Sequence, residues 1–149
     1  MARSESNETE IYLNEEIVMT DCPRELHYTE SHEWVRLDGD DTVVIGITDY
    51  AQHQLGDLVF VELPDMQLSL DKGDELAVVE SVKTAADVYA PISGVVIEVN
   101  SQLESQPDSI NQDAYGNGWI CRIKPSDMEE LDELMDADAY EEMIAEEEV

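Results

Sequence analysis

Glu80-Ser81-Val82-Lys83-Thr84-Ala85-Ala86-Asp87-Val88-Tyr89-Ala90-Pro91 is the stretch that decides how this chain folds. Leu76 to Ser81 and Thr84 to Tyr89 are both short β-type runs, so together they predict a hairpin bent at Lys83. The bend Ser81-Val82-Lys83-Thr84 contains no Gly, Asn or Pro, so the usual hairpin signal is missing. The flanking strands are expected to impose the turn, at some conformational cost. The chain has only three lysines, Lys72, Lys83 and Lys124, among seven basic residues that face 37 acids. Lys83 is therefore either an ordinary exposed turn lysine or an amine staged between two strands for a modifying enzyme. Local pattern leaves both readings open.

Outward from the hairpin the texture stays β-like. Glu33–Leu37, Thr42–Ile47, Leu58–Leu63, Val95–Val99 and Trp119–Lys124 read as strands, separated by turn clusters such as Asp38-Gly39-Asp40-Asp41, and Leu68–Leu70 precedes another turn at Asp71-Lys72-Gly73-Asp74. Thr48 or Asp49 can cap a short helix running to Gln54 and stopped by Gly56. Ser101–Gly118 is polar and irregular, with room for a short helix. Ser126 followed by Glu129 is a capping-box signal opening C-terminal helices over about 126–145. Leu131, Leu134 and Met135, then Ala137, Tyr140 and Ile144, give these helices apolar stripes that can lie on the strands. The expected fold is mainly β: a small flattened β-barrel or barrel-sandwich hybrid with short helices, the C-terminal ones packed on the barrel.

Composition narrows the partners. A chain of 149 residues that is 42 % apolar supports one compact domain, and its longest apolar runs are four residues, far short of a membrane span. The formal charge of −30 would be repelled by nucleic acid and by anionic membranes, so neither is expected as a partner. Residues 1–22 carry Arg3 and six acids and are expected to be a flexible acidic extension with at most a nascent helix, leaving 23–149 as the domain. They have no hydrophobic signal core and no basic transit character, so a cytoplasmic protein is expected. Cys22 beside Pro23 reads as a loop thiol and Cys121 as a reduced core thiol; neither has a CxxC partner. His27, His32 and Glu33 match no established metal-ligand spacing, and no metal site is expected.

Several stretches, taken together, resemble the glycine cleavage system H proteins, the lipoyl carriers of that complex. They are Ser31-His32-Glu33-Trp34, Ile45 to Gln52, Leu55 to Pro64, Glu80-Ser81-Val82-Lys83, Tyr89 to Gly94 and Gly118-Trp119, in the family's order and spacing over roughly residues 24–145. The resemblance implies that Lys83 carries lipoate in amide linkage, on an arm reaching on the order of a dozen Å from the backbone. It implies a non-catalytic carrier in which the cofactor does the sulfur chemistry and the domain supplies placement and protection.

Three enzyme partners follow from the same resemblance. A pyridoxal-phosphate glycine decarboxylase loads an aminomethyl group on the oxidised arm, and an aminomethyltransferase passes its methylene to tetrahydrofolate with release of ammonia. A flavin-dependent dihydrolipoyl dehydrogenase then reoxidises the arm, and lipoate-attaching enzymes install it. The carrier itself is expected to be a monomer. Residues matching Ser31, Glu33, Leu55 and Asp87 line a parking site for the loaded arm in the family. The family's frequent histidines near this site fall on Gln54 and Tyr50 here, with His53 adjacent, so no histidine is assigned to the arm. Other readings stay open. They are a carrier that stores or relays lipoate or octanoate to other enzymes, a biotin carrier (which usually flanks its lysine with methionines, unlike Val82 and Thr84), a lipoyl domain of a 2-oxoacid dehydrogenase, which would be shorter and lack the C-terminal helices, and an unmodified acidic adaptor.

Overall fold

The computed structural model describes residues 22–39 and 41–147; the extension expected over residues 1–22 lies outside them except for Cys22. Two antiparallel sheets carry the fold. The strands are β1 (His27–Tyr28), β2 (Glu33–Asp38), β3 (Thr42–Ile47), β4 (Leu58–Glu62), β5 (Ser69–Leu70), β6 (Glu75–Ser81), β7 (Ala85–Tyr89), β8 (Gly94–Val99) and β9 (Cys121–Pro125). Six of them form one sheet in the order β1-β2-β3-β9-β8-β5, and β4-β6-β7 form the other. Inward residues of both meet in one core: Val35, Val43 and Ile45 from the first sheet, Val61, Val79 and Val88 from the second. Each such fully buried aliphatic side chain contributes roughly 1.5–3 kcal/mol of burial free energy. The expected β architecture with short helices is present, but the sheets remain two and do not close into a continuous barrel.

Helix α1 (Asp49–Leu55) joins the sheets and forms as its caps dictate. Thr48 has extended backbone, and its Oγ1 accepts from the Ala51 amide. Gly56, at φ 86°, ends the helix in a conformation that a side chain would strain. Two single-turn helices, α2 (Gln102–Ser105) and α3 (Ser109–Gln112), occupy the polar stretch before β9.

A second cluster lies on the far face of the six-stranded sheet's β2–β3 hairpin. Helix α4 (Ala137–Glu147) buries Ala137, Tyr140 and Ile144 there, with Tyr140 stacked on Tyr28 at 4.7 Å between ring centres. Trp34 is wholly buried beside them, and a Cβ on its cross-strand partner Gly46 would lie 2.6 Å from the indole. Cys22, expected as a loop thiol, is buried in this cluster.

Two local expectations are corrected. The segment after β9 is a 3-10 helix, Met128–Glu133, and its cap is Asp127, whose carboxylate accepts from the Glu129 amide; Ser126 does not cap it. The Lys83 turn is also made differently. Ser81 Oγ accepts from the amides of Lys83 (3.2 Å) and Thr84 (3.1 Å), and the Ser81 amide donates to the Thr84 carbonyl at 2.7 Å. A serine hydroxyl thus supplies what a glycine turn usually supplies. Among the described residues only His32 and Gln67 are non-glycines at positive φ, so the tip itself is unstrained there.

Candidate functional site

Lys83 stands exposed at the tip of the β6–β7 hairpin beside Val82, which is 77 % exposed. The chain's other lysines are engaged: Lys72 with Glu133 at 2.8 Å and Lys124 with Asp41 at 2.7 Å. Lys83 has no ion pair with any described residue. Its stem passes the end of α1, where a Cβ built on Gly56 would lie 3.6 Å from Lys83 Cε. The tip is also tied to that turn, because the Val82 amide donates to the Asp57 carbonyl at 3.3 Å.

Behind the tip lies a cavity of about 240 Å³. Ser31, Glu33, Leu55 and Asp87, spread over 57 positions of sequence, all line it. Tyr50, Ala51 and Gln54 of α1 add to the wall. His53, beside them in sequence, is exposed and is not among the lining residues. The histidine of this cavity is His32, whose position in the turn before β2 gave no sequence signal of the kind that helix periodicity provides. Its Nδ1 hydrogen-bonds Tyr140 Oη at 2.8 Å, and Glu147 lies 3.3 Å from its Nε2.

Glu33 is the fixed point of the wall. It is 1 % exposed, and its Oε1 accepts from Thr29 Oγ1 (2.5 Å) and Ser31 Oγ (2.7 Å). Its Oε2 accepts from the Tyr89 amide at 3.0 Å, which ties the β1–β2 turn to strand β7 across the two sheets. A carboxylate offers about four acceptor positions, so this one is firmly held and still has room for a further donor. The surroundings are anionic: Asp87 first, then burial, Glu75 and Glu33 hold the Tyr89 phenol above its ordinary range. Ser31 and Glu33 also border a larger cavity of about 380 Å³ with Tyr89, Pro91 and the Lys72–Glu133 pair. That cavity includes neither Leu55 nor Asp87 nor any part of α1, so the smaller one is the one lined both by α1 and by the two strands of the Lys83 hairpin.

An exposed lysine without an ion pair among the described residues thus stands on a serine-locked hairpin whose strands line a cavity walled in part by carboxylates. The family model for the glycine cleavage H-protein matches residues 26–147. The chain belongs to the glycine cleavage H-protein family. The glycine cleavage system H protein of Coxiella burnetii (strain Dugway 5J108-111) is 57 % identical over 126 residues, covering 85 % of this chain and 97 % of that one. Its counterpart in Thermus thermophilus is 56 % identical over 124 residues, covering 83 % and 96 %. The crystal structure of a glycine cleavage system H protein from Mycobacterium marinum superposes with a TM-score of 0.76 at 38 % identity, covering 83 % of this chain and 98 % of that one. H-protein membership thus extends across both sheets and the C-terminal helix.

Proposed function

We propose that this H-family chain is the lipoyl carrier of a glycine cleavage system, with lipoate amide-linked to Lys83 Nζ. The observation that supports this most is the pairing of an exposed Lys83, free of ion pairs with described residues, with the adjoining cavity that gathers Ser31, Glu33, Leu55 and Asp87. When bound, lipoate supplies a dithiolane that accepts an aminomethyl group and is later returned to the disulfide. The protein's own residues do the rest. The hairpin holds the amine out where an attaching enzyme can reach it. Leu55, Ala51 and Val79 give the cavity an apolar side that sheds water. Glu33 and Asp87 place carboxylates where a cationic amine would be stabilised more strongly than in bulk water.

On this reading the chain is not itself catalytic and operates in the cytoplasm. Its partners are glycine decarboxylase, aminomethyltransferase, dihydrolipoyl dehydrogenase and the enzymes that attach lipoate. Burial disfavours a redox role for the Cys121 thiol, whose pKa it pushes up to about 12.

Intact mass spectrometry of protein from lipoate-replete cells tests the attachment, and glycine–bicarbonate exchange with purified decarboxylase tests the role. Lys83→Arg keeps a cation at the tip and should remove both the lipoyl mass and the exchange activity while the fold is retained. An unmodified wild-type chain, or exchange supported by Lys83→Arg, overturns the proposal.

A further inference from the structure

Asn111 sits in α3, within the polar stretch that sequence reading left without a role. Its side-chain amide is spent entirely on the turn between α1 and β4. Nδ2 donates to Gln52 Oε1 (2.8 Å) and to the Gly56 carbonyl (2.9 Å), while Oδ1 accepts from the Leu58 amide (2.9 Å). One side chain therefore fixes the turn before, at and after Gly56. That turn is where the Lys83 stem lies, and its Asp57 carbonyl takes the amide of Val82. Its helix-side neighbour Leu55 belongs to the cavity wall.

We infer that Asn111 is a positioning residue for the arm: by fixing Gly56–Leu58 it aligns the hairpin tip with the cavity mouth. The inference rests on the carrier reading of Lys83. Asn111 need not touch the attached group. It acts through the turn, and loss of its amide frees three backbone or side-chain partners at once. The misalignment this produces leaves the arm exposed to water when it should be sheltered.

A matched control exists elsewhere in the fold. Asn100 Nδ2 donates to the carbonyls of Asn117 and Trp119, both at 2.8 Å, bracing the loop that leads into β9. Neither of these hydrogen bonds reaches the hairpin tip or the Gly56 turn. The experiment compares Asn111→Ala and Asn100→Ala, each purified in lipoylated form. Intact mass comes first; a bare Lys83 in the unmutated protein defeats the carrier reading itself, separately from this inference. Two further readouts follow: hydrogen exchange at the Val82 amide, and ammonia release from carrier loaded by glycine decarboxylase without transferase.

Asn111→Ala should raise both by about tenfold, the scale of one lost hydrogen bond to an ordered turn. Asn100→Ala should leave both near the wild-type rate even where its thermal midpoint falls equally. Asn111→Asp keeps an acceptor for the Leu58 amide but loses both donors, and should fall between. In the unmutated protein, the Asn111 side-chain amide resonances should shift when the arm is loaded, while those of Asn100 stay put. Equal rates in Asn111→Ala and Asn100→Ala, or an Asn111 signal indifferent to loading, overturn the inference.

Discussion

At the Glu33 end of the cavity, a carboxylate only 1 % exposed holds Thr29, Ser31 and the Tyr89 amide in fixed geometry. Towards Lys83, an exposed side-chain amine has no ion pair with any described residue, and its stem passes the Gly56 turn. One side is over-determined and the other is left loose. The difference matches what a carrier needs: the tethered group must leave for each partner enzyme, whereas its shelter must be ready whenever it returns. A site held with its hydrogen bonds already made needs no reorganisation when a charged guest arrives. A lysine locked in a salt bridge, as Lys72 and Lys124 are, would have to break that pair before it could be modified.

The most damaging way to break this contrast is to loosen the rigid side. Glu33→Ala strands three donors, and each buried unsatisfied group costs about 1–3 kcal/mol, so the urea midpoint should fall clearly. Release of ammonia and formaldehyde from the loaded carrier should accelerate by about tenfold or more when the transferase is absent. Glu33→Gln separates the two roles in part: its one carbonyl oxygen can still accept from Thr29 and Ser31, whereas its NH2 cannot accept from the Tyr89 amide and the charge is gone. Its stability should recover only partly and its ammonia release should remain fast. Recovery of both would leave Glu33 as a structural staple only.

Ser81→Ala attacks the loose side instead. The substitution removes the acceptor shared by the Lys83 and Thr84 amides, a loss of about 1 kcal/mol at a partly exposed turn. The tip should fray, and the initial rate of lipoate attachment, followed by mass, should drop several-fold. Ser81→Thr retains the hydroxyl and should attach at close to the wild-type rate. Attachment unaffected by Ser81→Ala would mean that the two flanking strands alone shape the turn.

Much of this contrast was legible before the fold. Strands β2, β3, β6 and β7 announced themselves through short apolar runs between turn residues, and α1 through Thr48 and Gly56, because capping is a local event. Lys83 stood out by scarcity. What escaped was set by partners distant in sequence or by side-chain choices among near-equals. Asp127 took the cap where Ser126 was expected, since either oxygen can reach a first-turn amide. Ser81 closed a turn that residue type alone left unexplained. Asn111 braces partners 53 to 59 positions away, and His32 meets Tyr140 across 108, separations on which local pattern has nothing to say. The four cavity residues were named through family likeness; only the folded chain shows that Ser31 and Glu33 come to share a wall with Leu55 and Asp87.

The smallest effect lies behind the rigid wall, in the core itself. Cys121 is fully buried on β9, and burial pushes its thiol from an ordinary value near 9.0 up to about 12. The unfolded chain therefore releases this proton at lower pH than the folded chain does. Stability is intact below about pH 9 and declines as pH climbs towards 12, because the unfolded state then holds fewer protons. The loss from this one group should be about 1 kcal/mol by pH 10. The phenols of Tyr28 and Tyr140, also raised by burial, extend the decline above pH 10. Urea midpoints at pH 8 and pH 10 measure it, and Cys121→Val should show a shallower fall between them. At pH 8, iodoacetamide should leave the native Cys121 thiol unmodified while urea-unfolded protein reacts. Rapid alkylation of Cys121 in the native state would show that the core it shares with the cavity residues Ile47, Val79 and Val88 opens as readily as the tip around Lys83, and the contrast between the two sides would fail.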